Sequence, residues 1–251
     1  MLTTQRRQHI LDVLKRDGRA IAGDLARELG LSEDTIRRDM RDMAAAGLLR
    51  RVHGGALPIT PELPEFSSRR SVASSEKAKL GALALSLIKP GQTIFLDGGT
   101  TTAEIARRIP RDMAITVATH SPTIAAEFEH HDKVEVILIG GRLYRHSMVS
   151  VGVEAASTID RLRPDIFFLG VTAIHAVHGL TTGDYEEAAI KRRIMERSRE
   201  TFVPVTDDKI GAVSPCLIAP VETVTGVLID AATPVERLDG LKETGVRLIS
   251  G

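Results

Sequence analysis

The chain has 251 residues, enough for one large or two unequal domains. Lys and Arg number 33 and Asp and Glu 33, so the net charge is zero, and 43% of the residues are hydrophobic, which excludes wholesale disorder. A single cysteine, Cys216, rules out an intramolecular disulfide and a Cys-based zinc site and fits a reducing cytoplasm. No apolar run approaches 18 residues and the start carries no secretory pattern, so a cytoplasmic protein without a membrane partner is expected.

The neutral total hides an asymmetry. Residues 1–57 hold 11 Lys and Arg against 8 Asp and Glu, a net of +3, and the remainder carries −3. A small basic head on a slightly acidic body places any polyanion contact on the head. Pro58, Pro61 and Pro64 follow directly and resist both helix and central strand, so 58–73 reads as a linker between a head (1–57) and a body (74–251).

In the head, Ile10, Leu11, Val13 and Leu14 mark an amphipathic helix over 6–17, stopped by Gly18. Ile21, Leu25 and Leu29 give a second apolar stripe ending at Gly30. Ser32 is an N-cap for a third helix from Glu33 to Ala46, closed by Gly47. A short turn containing glycine between two helices is the mark of a helix-turn-helix. Rotation by 100° per residue puts Ile36, Met40 and Met43 on the core face and Asp34, Arg37, Arg38 and Arg41 opposite, with Thr35 at the shoulder. Arginines there can meet phosphates or guanine edges, or else form a solvated face of pairs such as Glu33–Arg37 and Asp34–Arg38. The basic LLRRVHGGAL segment (48–57), with Arg50, Arg51 and His53 before a Gly-Gly turn, reads as a wing and favours DNA.

These pieces resemble a known family. RRQHILDVL (6–14), DLARELGLSEDTIRRDMRDM (24–43) and RRVHGGAL (50–57) look like the winged helix-turn-helix of the DeoR family of bacterial transcriptional regulators. The candidate DNA-binding residues are then Ser32, Thr35, Arg37, Arg38, Arg41, Arg50, Arg51 and His53.

The body alternates strands and helices. Helices are expected over 76–88, 102–109, 122–130, near 152–162, over 185–199 and near 234–243. Strands are expected over 92–97, 114–119, 134–140, 165–172, 201–207, 226–230 and 246–250. Their continuous apolar runs imply a mostly parallel sheet buried on both faces, whose ligands gather at the strands' carboxyl ends. Asp97, Gly98, Gly99, Thr100, Thr101 and Thr102 form such a loop ahead of a helix. It reads equally as a phosphate cradle of amides and hydroxyls or as a Gly-rich turn with a Thr N-cap; it lacks the GKS/T ending of a Walker A loop.

Other loops say less by themselves. His120 can cap the following helix or bind an effector hydroxyl, and capping is the simpler reading. Glu187 and Lys191 read as a plain exposed i,i+4 pair, Lys209 as a solvated loop lysine, and Arg142 and Arg145 as surface charges. His175 and His178 have no further ligand at suitable spacing, so no metal site is expected, and Cys216 reads as packing.

In order, FLDGGTTTAEIA, ATHSPTIA, ILIGGRLYR, FFLGVT, GLTTGDYEEAAIKR and VTDDKIG resemble the sensor domain of the same DeoR family, over roughly 75–232. The resemblance implies a ribose-5-phosphate isomerase-like α/β fold that senses a phosphorylated sugar, with no cofactor. It puts Asp97, Thr100, Thr101 and Thr102 in the phosphate and sugar site, and brings Glu187, Lys191 and Lys209 to it. His120 and Ile210 stand where the family often has asparagine and phenylalanine. The expected protein is a repressor, a dimer or tetramer on double-stranded operator DNA, relieved by a sugar phosphate. The alternative is a sugar-phosphate isomerase with an accessory DNA-binding domain. No carboxylate lies between Phe167 and His175, where an isomerase would carry an acidic loop, so no catalytic residue is assigned.

Overall fold

The computed structural model describes residues 2–57 and 72–251, and the chain divides into two compact units. The linker expected at 58–73 lies outside the described residues except for Val72 and Ala73, which form a turn.

The N-terminal unit packs three helices, α1 (Thr3–Asp17), α2 (Ala22–Leu29) and α3 (Glu33–Ala45), against a small antiparallel sheet. That sheet joins β1 (Ala20–Ile21), β2 (Arg50–Val52) and β3 (Gly55–Leu57) in the order β1-β3-β2. Its core is Ile10, Leu14, Leu25, Ile36, Met40 and Met43, as the helical periodicity requires. One residue departs from that reading. Ile21 precedes α2 and pairs with Gly55 in β1, leaving its side chain 43% exposed.

Gly55 is dictated by the close approach of β1: a Cβ there would lie 2.1 Å from the Ala20 carbonyl oxygen, a backbone atom that cannot yield. Gly55→Ala should therefore cost the head about 1–3 kcal/mol through forced displacement of the wing. The melting temperature of the head should fall while that of the body is unchanged; a variant as stable as the parent would show that β1 yields to the added methyl.

The second unit is built on a seven-stranded, wholly parallel sheet. Its strands are β4 (Thr93–Leu96), β5 (Ile115–Thr119), β6 (Val134–Leu138), β9 (Ile166–Phe168), β12 (Glu200–Pro204), β14 (Gly226–Ile229) and β15 (Leu248–Ser250). The order is β15-β14-β12-β9-β4-β5-β6. From β4 the chain runs outward through β5 and β6, then returns to the other side of β4 at β9. The β4/β9 seam is thus the topological switch point, where such sheets open a crevice at their carboxyl ends. Helices α4 (Ser74–Leu85), α5 (Thr100–Arg108), the short α6 (Pro122–Ala125), α7 (Val153–Ile159), α8 (Tyr185–Arg197) and α9 (Val235–Glu243) complete the fold. Apolar clusters line both sheet faces, with Phe95 and Phe167 on one and Leu80, Ile94 and Phe168 on the other.

Several elements differ from expectation. The helix expected to 88 ends at Leu85, and the one expected over 122–130 stops at Ala125 and tightens into a 3₁₀ turn, Ala126–Phe128. The apolar run at 134–140 is the edge strand β6, half-covered rather than buried. The segment after it makes an antiparallel hairpin, β7 (Arg142–Tyr144) with β8 (Val149–Val151). The run expected as one strand to residue 172 stops at Phe168. A separate antiparallel sheet follows, of β10 (Ala173–His175), β11 (Gly179–Thr182) and β13 (Cys216–Ala219). His175 belongs to its turn: Nδ1 accepts the amides of Val177 (3.1 Å) and His178 (3.3 Å). Cys216 is half-buried in β13, and burial raises its thiol pKa, in keeping with packing.

Candidate DNA-binding face and effector site

Helix α3 starts where the sequence calls for it, because the Ser32 hydroxyl accepts the Thr35 amide at 3.3 Å and lies 2.8 Å from the Thr35 hydroxyl. Arg37, Arg38 and Arg41 are exposed on the face opposite the core. Arg37 reaches Glu33 at 2.6 Å, one of the two pairs the sequence allows; Asp34–Arg38 is not made, and Arg38 and Arg41 are unpaired among the described residues. Arg50, Arg51 and His53 are exposed on the wing.

A concavity of about 720 Å³ gathers Arg37, Arg38 and Arg41 with Arg51 and, from the first helix, Arg6 and Arg7. Sequence reading passed over the last two. Arg6 pairs with the buried Asp39, and Arg7 reaches Asp39 at 3.4 Å and Asp42 at 2.7 Å. These bonds fix the rotation of α3 against α1. The signal was present as two arginines opening one helix and two aspartates on another, but partners 32 to 35 residues apart cannot be matched by helical spacing.

In the body, three carboxyl-terminal strand ends supply one buried cluster, and a fourth brings a half-buried lysine beside it. Asp97 follows β4, His120 follows β5, Gly170 follows β9, and the turn carrying Lys209 follows β12. The Asp97 carboxylate is wholly buried and accepts four internal donors. Oδ1 takes the Gly98 amide (2.8 Å) and His120 Nε2 (2.8 Å); Oδ2 takes the Gly170 amide (2.8 Å) and Lys191 Nζ (2.7 Å). Burial alone would raise this carboxyl, but the Lys191 charge and the His120 hydrogen bond outweigh it and hold the group at about 2. Burial would likewise lower Lys191, yet Asp97 and Glu187 raise it.

Glu187 and Lys191 are thus not the exposed pair their spacing suggests. Both are buried, 3.3 Å apart, and Glu187 also accepts the Thr182 hydroxyl at 2.7 Å. Asp184 caps their helix by accepting the Glu187 amide at 2.9 Å. His120 is no helix cap either; its ring is wholly buried between Asp97 and Ser150. Lys209 is half-buried, with Nζ 2.8 Å from the Val171 carbonyl, one residue beyond Gly170. Arg142 pairs with Glu186 on the surface.

Above this cluster lies the glycine–threonine loop. Gly99 takes φ +125°, a conformation glycine adopts freely, and α5 begins at Thr100 rather than Thr102. Thr102 turns its hydroxyl back onto the Gly99 carbonyl at 2.9 Å. Thr100 and Thr101 keep under a tenth of their surface exposed, yet their hydroxyls and the amides of Gly99, Thr100 and Thr101 have no partner among the described residues. Such a set of aligned donors at a helix start suits an anion. Among the described residues no group of His, Cys, Asp and Glu could hold a metal ion, and no helix is long and apolar enough to cross a membrane.

Comparison with known proteins agrees with both halves. The DeoR-like helix-turn-helix domain matches residues 6–62 and the DeoR C terminal sensor domain residues 72–231. The HTH-type transcriptional regulator GlpR of Haloferax volcanii is 34% identical over 254 residues, covering 100% of this chain and 99% of its own. The glycerol-3-phosphate regulon repressor of Escherichia coli strain K12 is 28% identical over 249 residues, 99% of each. Among solved structures, ribose 5-phosphate isomerase A from Methanocaldococcus jannaschii is 17% identical over 54% of each chain, with a TM-score of 0.41. The full-length sorbitol operon regulator SorC from Klebsiella pneumoniae is 12% identical over 82% of this chain and 90% of that one, with a TM-score of 0.37. The full-length relatives carry the names of regulators, so the isomerase alternative falls away. With its head and its body both matched, the chain belongs to the DeoR family of transcriptional regulators.

Proposed function

We propose that this regulator represses a carbohydrate-catabolism operon and is released from its operator by a phosphorylated sugar. The observation that carries the effector half is the set of unpartnered amides and hydroxyls at Gly99, Thr100 and Thr101, sited at the sheet's switch point. A phosphate monoester meets these donors and the start of α5, and Lys209 supplies a positive charge. Asp97, Glu187, Lys191 and His120 form the floor beneath it, with Gly98 and Thr102 shaping the loop between. The names of the relatives make glycerol 3-phosphate the first candidate ligand.

On the DNA side, Ser32, Thr35, Arg37, Arg38, Arg41, Arg50, Arg51 and His53 meet the double helix. Two heads of a dimer or tetramer take paired half-sites, since one head buries too little for tight binding. The protein acts in the cytoplasm, on the nucleoid. Within the body, the turn that carries Lys209 is tied to the helix α4. Glu76, in the first turn of α4, accepts the Asp207 amide at 2.7 Å on the turn that carries Lys209. A ligand drawn to Lys209 therefore pulls on the helix that follows the linker. It shifts the operator equilibrium only by its unequal affinity for the two arrangements.

Thr101→Val tests the cradle. It removes one hydroxyl at nearly constant volume, so affinity for glycerol 3-phosphate, read by calorimetry, should fall about tenfold while operator affinity stays the same. Unchanged ligand affinity would put the phosphate elsewhere.

A further inference from the structure

We infer that His120 is a positioning residue for the anion site, held with a proton on each ring nitrogen and tying the β7–β8 hairpin to Asp97. The inference rests on the phosphate reading above for its functional consequence, but its structural part stands alone.

The ring is wholly buried, and both of its nitrogens face groups that can only accept. Nε2 lies 2.8 Å from Asp97 Oδ1, and the carboxylate is ionised. Nδ1 lies 3.0 Å from the Ser150 carbonyl oxygen. A neutral imidazole has one N–H, so it would set a lone pair against one of these oxygens inside a dry interior, where an unmade hydrogen bond costs most. Both contacts are satisfied together only if both nitrogens donate, and the ring is then positive. The charged groups around it agree. Asp97 touches it directly from the end of β4, and Lys191 and Glu187 of α8 reach it through Asp97. The hairpin offers the uncharged Ser150 carbonyl, and Phe95 of β4 stands edge-on with its ring centre 5.8 Å away. With His120 charged, two cations balance two carboxylates; with it neutral, the floor of the site carries a net negative charge.

The second partner explains what the ring holds in place. The Ser150 amide donates to the His120 carbonyl at 2.7 Å, and the Ser121 hydroxyl donates to the Met148 carbonyl at 2.8 Å. Strand β8 is therefore stitched along residues 120–121. Next to Ser150, Val149 presses on the cradle loop so closely that a Cβ on Gly98 would lie 2.2 Å from its Cγ1. His120 thus joins the wall of the cradle to its floor. It touches no ligand: it sets Asp97, and through Asp97 it sets Lys191 and the sign of the charge beneath the phosphate.

The test uses the full chain. With ¹⁵N-labelled histidine, both ring nitrogens of His120 should show the protonated signature at neutral pH. His120→Asn should fold, because the side-chain amide can still donate to Asp97. It should bind glycerol 3-phosphate about tenfold more weakly than the parent, since the charge is gone, and bind operator DNA equally well. One unprotonated ring nitrogen overturns the inference, and so does an Asn variant with undiminished ligand affinity. Should the Asn variant fail to fold, the nitrogen signature of the parent still decides. Failure of the parent to bind either glycerol 3-phosphate or inorganic phosphate would sink the effector reading, while the protonation result would continue to test the placement of His120.

Discussion

Arg38→Ala should weaken operator binding by about 1–3 kcal/mol, a larger loss than that of Arg37→Ala. The reason is its freedom. Arg38 is exposed and unpaired among the described residues, whereas Arg37 is already held by Glu33 at 2.6 Å and must give up that contact to reach DNA. If Arg38 meets a phosphate, the loss should be uniform across operator variants and the slope of log affinity against log salt should drop by about one. If it meets a guanine edge, the loss should concentrate on one base pair and the salt slope should hold. Arg6→Ala makes the contrast. It leaves the carboxylate of Asp39 buried with only the longer contact to Arg7, so it should act through head stability, lowering the melting temperature as well as operator affinity. Undiminished affinity in Arg38→Ala at moderate salt would mean that α3 presents a different face to the groove.

What sequence reading could reach follows from the range of each interaction. The head was legible because helical period, cap and stop are local: Ser32 caps α3, and Ile36, Met40 and Met43 fall inside, as counted by rotation. Ile21 failed for the same reason in reverse. Its apolar spacing fits α2, but pairing with Gly55, distant in sequence, draws it into a strand. In the body, the loop from Asp97 to Thr102 was legible as a place, while its chemistry was not. The glycines and threonines announce a strand-to-helix turn, yet only the fold shows which donors lack partners. Glu187 and Lys191 show the limit plainly. Their four-residue spacing is the same for a solvated pair and for a buried one, and what separates the two is Asp97, 94 residues from Lys191. The β7–β8 hairpin and the sheet of β10, β11 and β13 escaped notice because their strands are three or four residues long, too short to show a period.

Asp97→Asn should cost the body about 3 kcal/mol or more at neutral pH, although the change is isosteric. Four donors converge on this carboxylate, two of them from Lys191 and His120. An asparagine can accept on one atom only, so its amide group must point N–H bonds at N–H donors. Lys191 then keeps Glu187 alone as its counter-charge in a buried site. The pH dependence identifies the cause. Asp97 lies at about 2 in the folded protein against an ordinary value of 3.8, so the unfolded chain holds the proton more tightly. The stabilisation is complete above pH 3.8 and disappears as pH falls through about 2, and on that shift it amounts to about 2 kcal/mol. Denaturation of parent and variant should therefore differ widely at pH 7 and converge across that acid window. A gap that stays constant down to pH 2 would show that lost packing, and not the charge of Asp97, separates the two. Since the same carboxylate sets His120 and Lys191 beneath the cradle, the variant should also lose affinity for glycerol 3-phosphate under conditions where it is still folded.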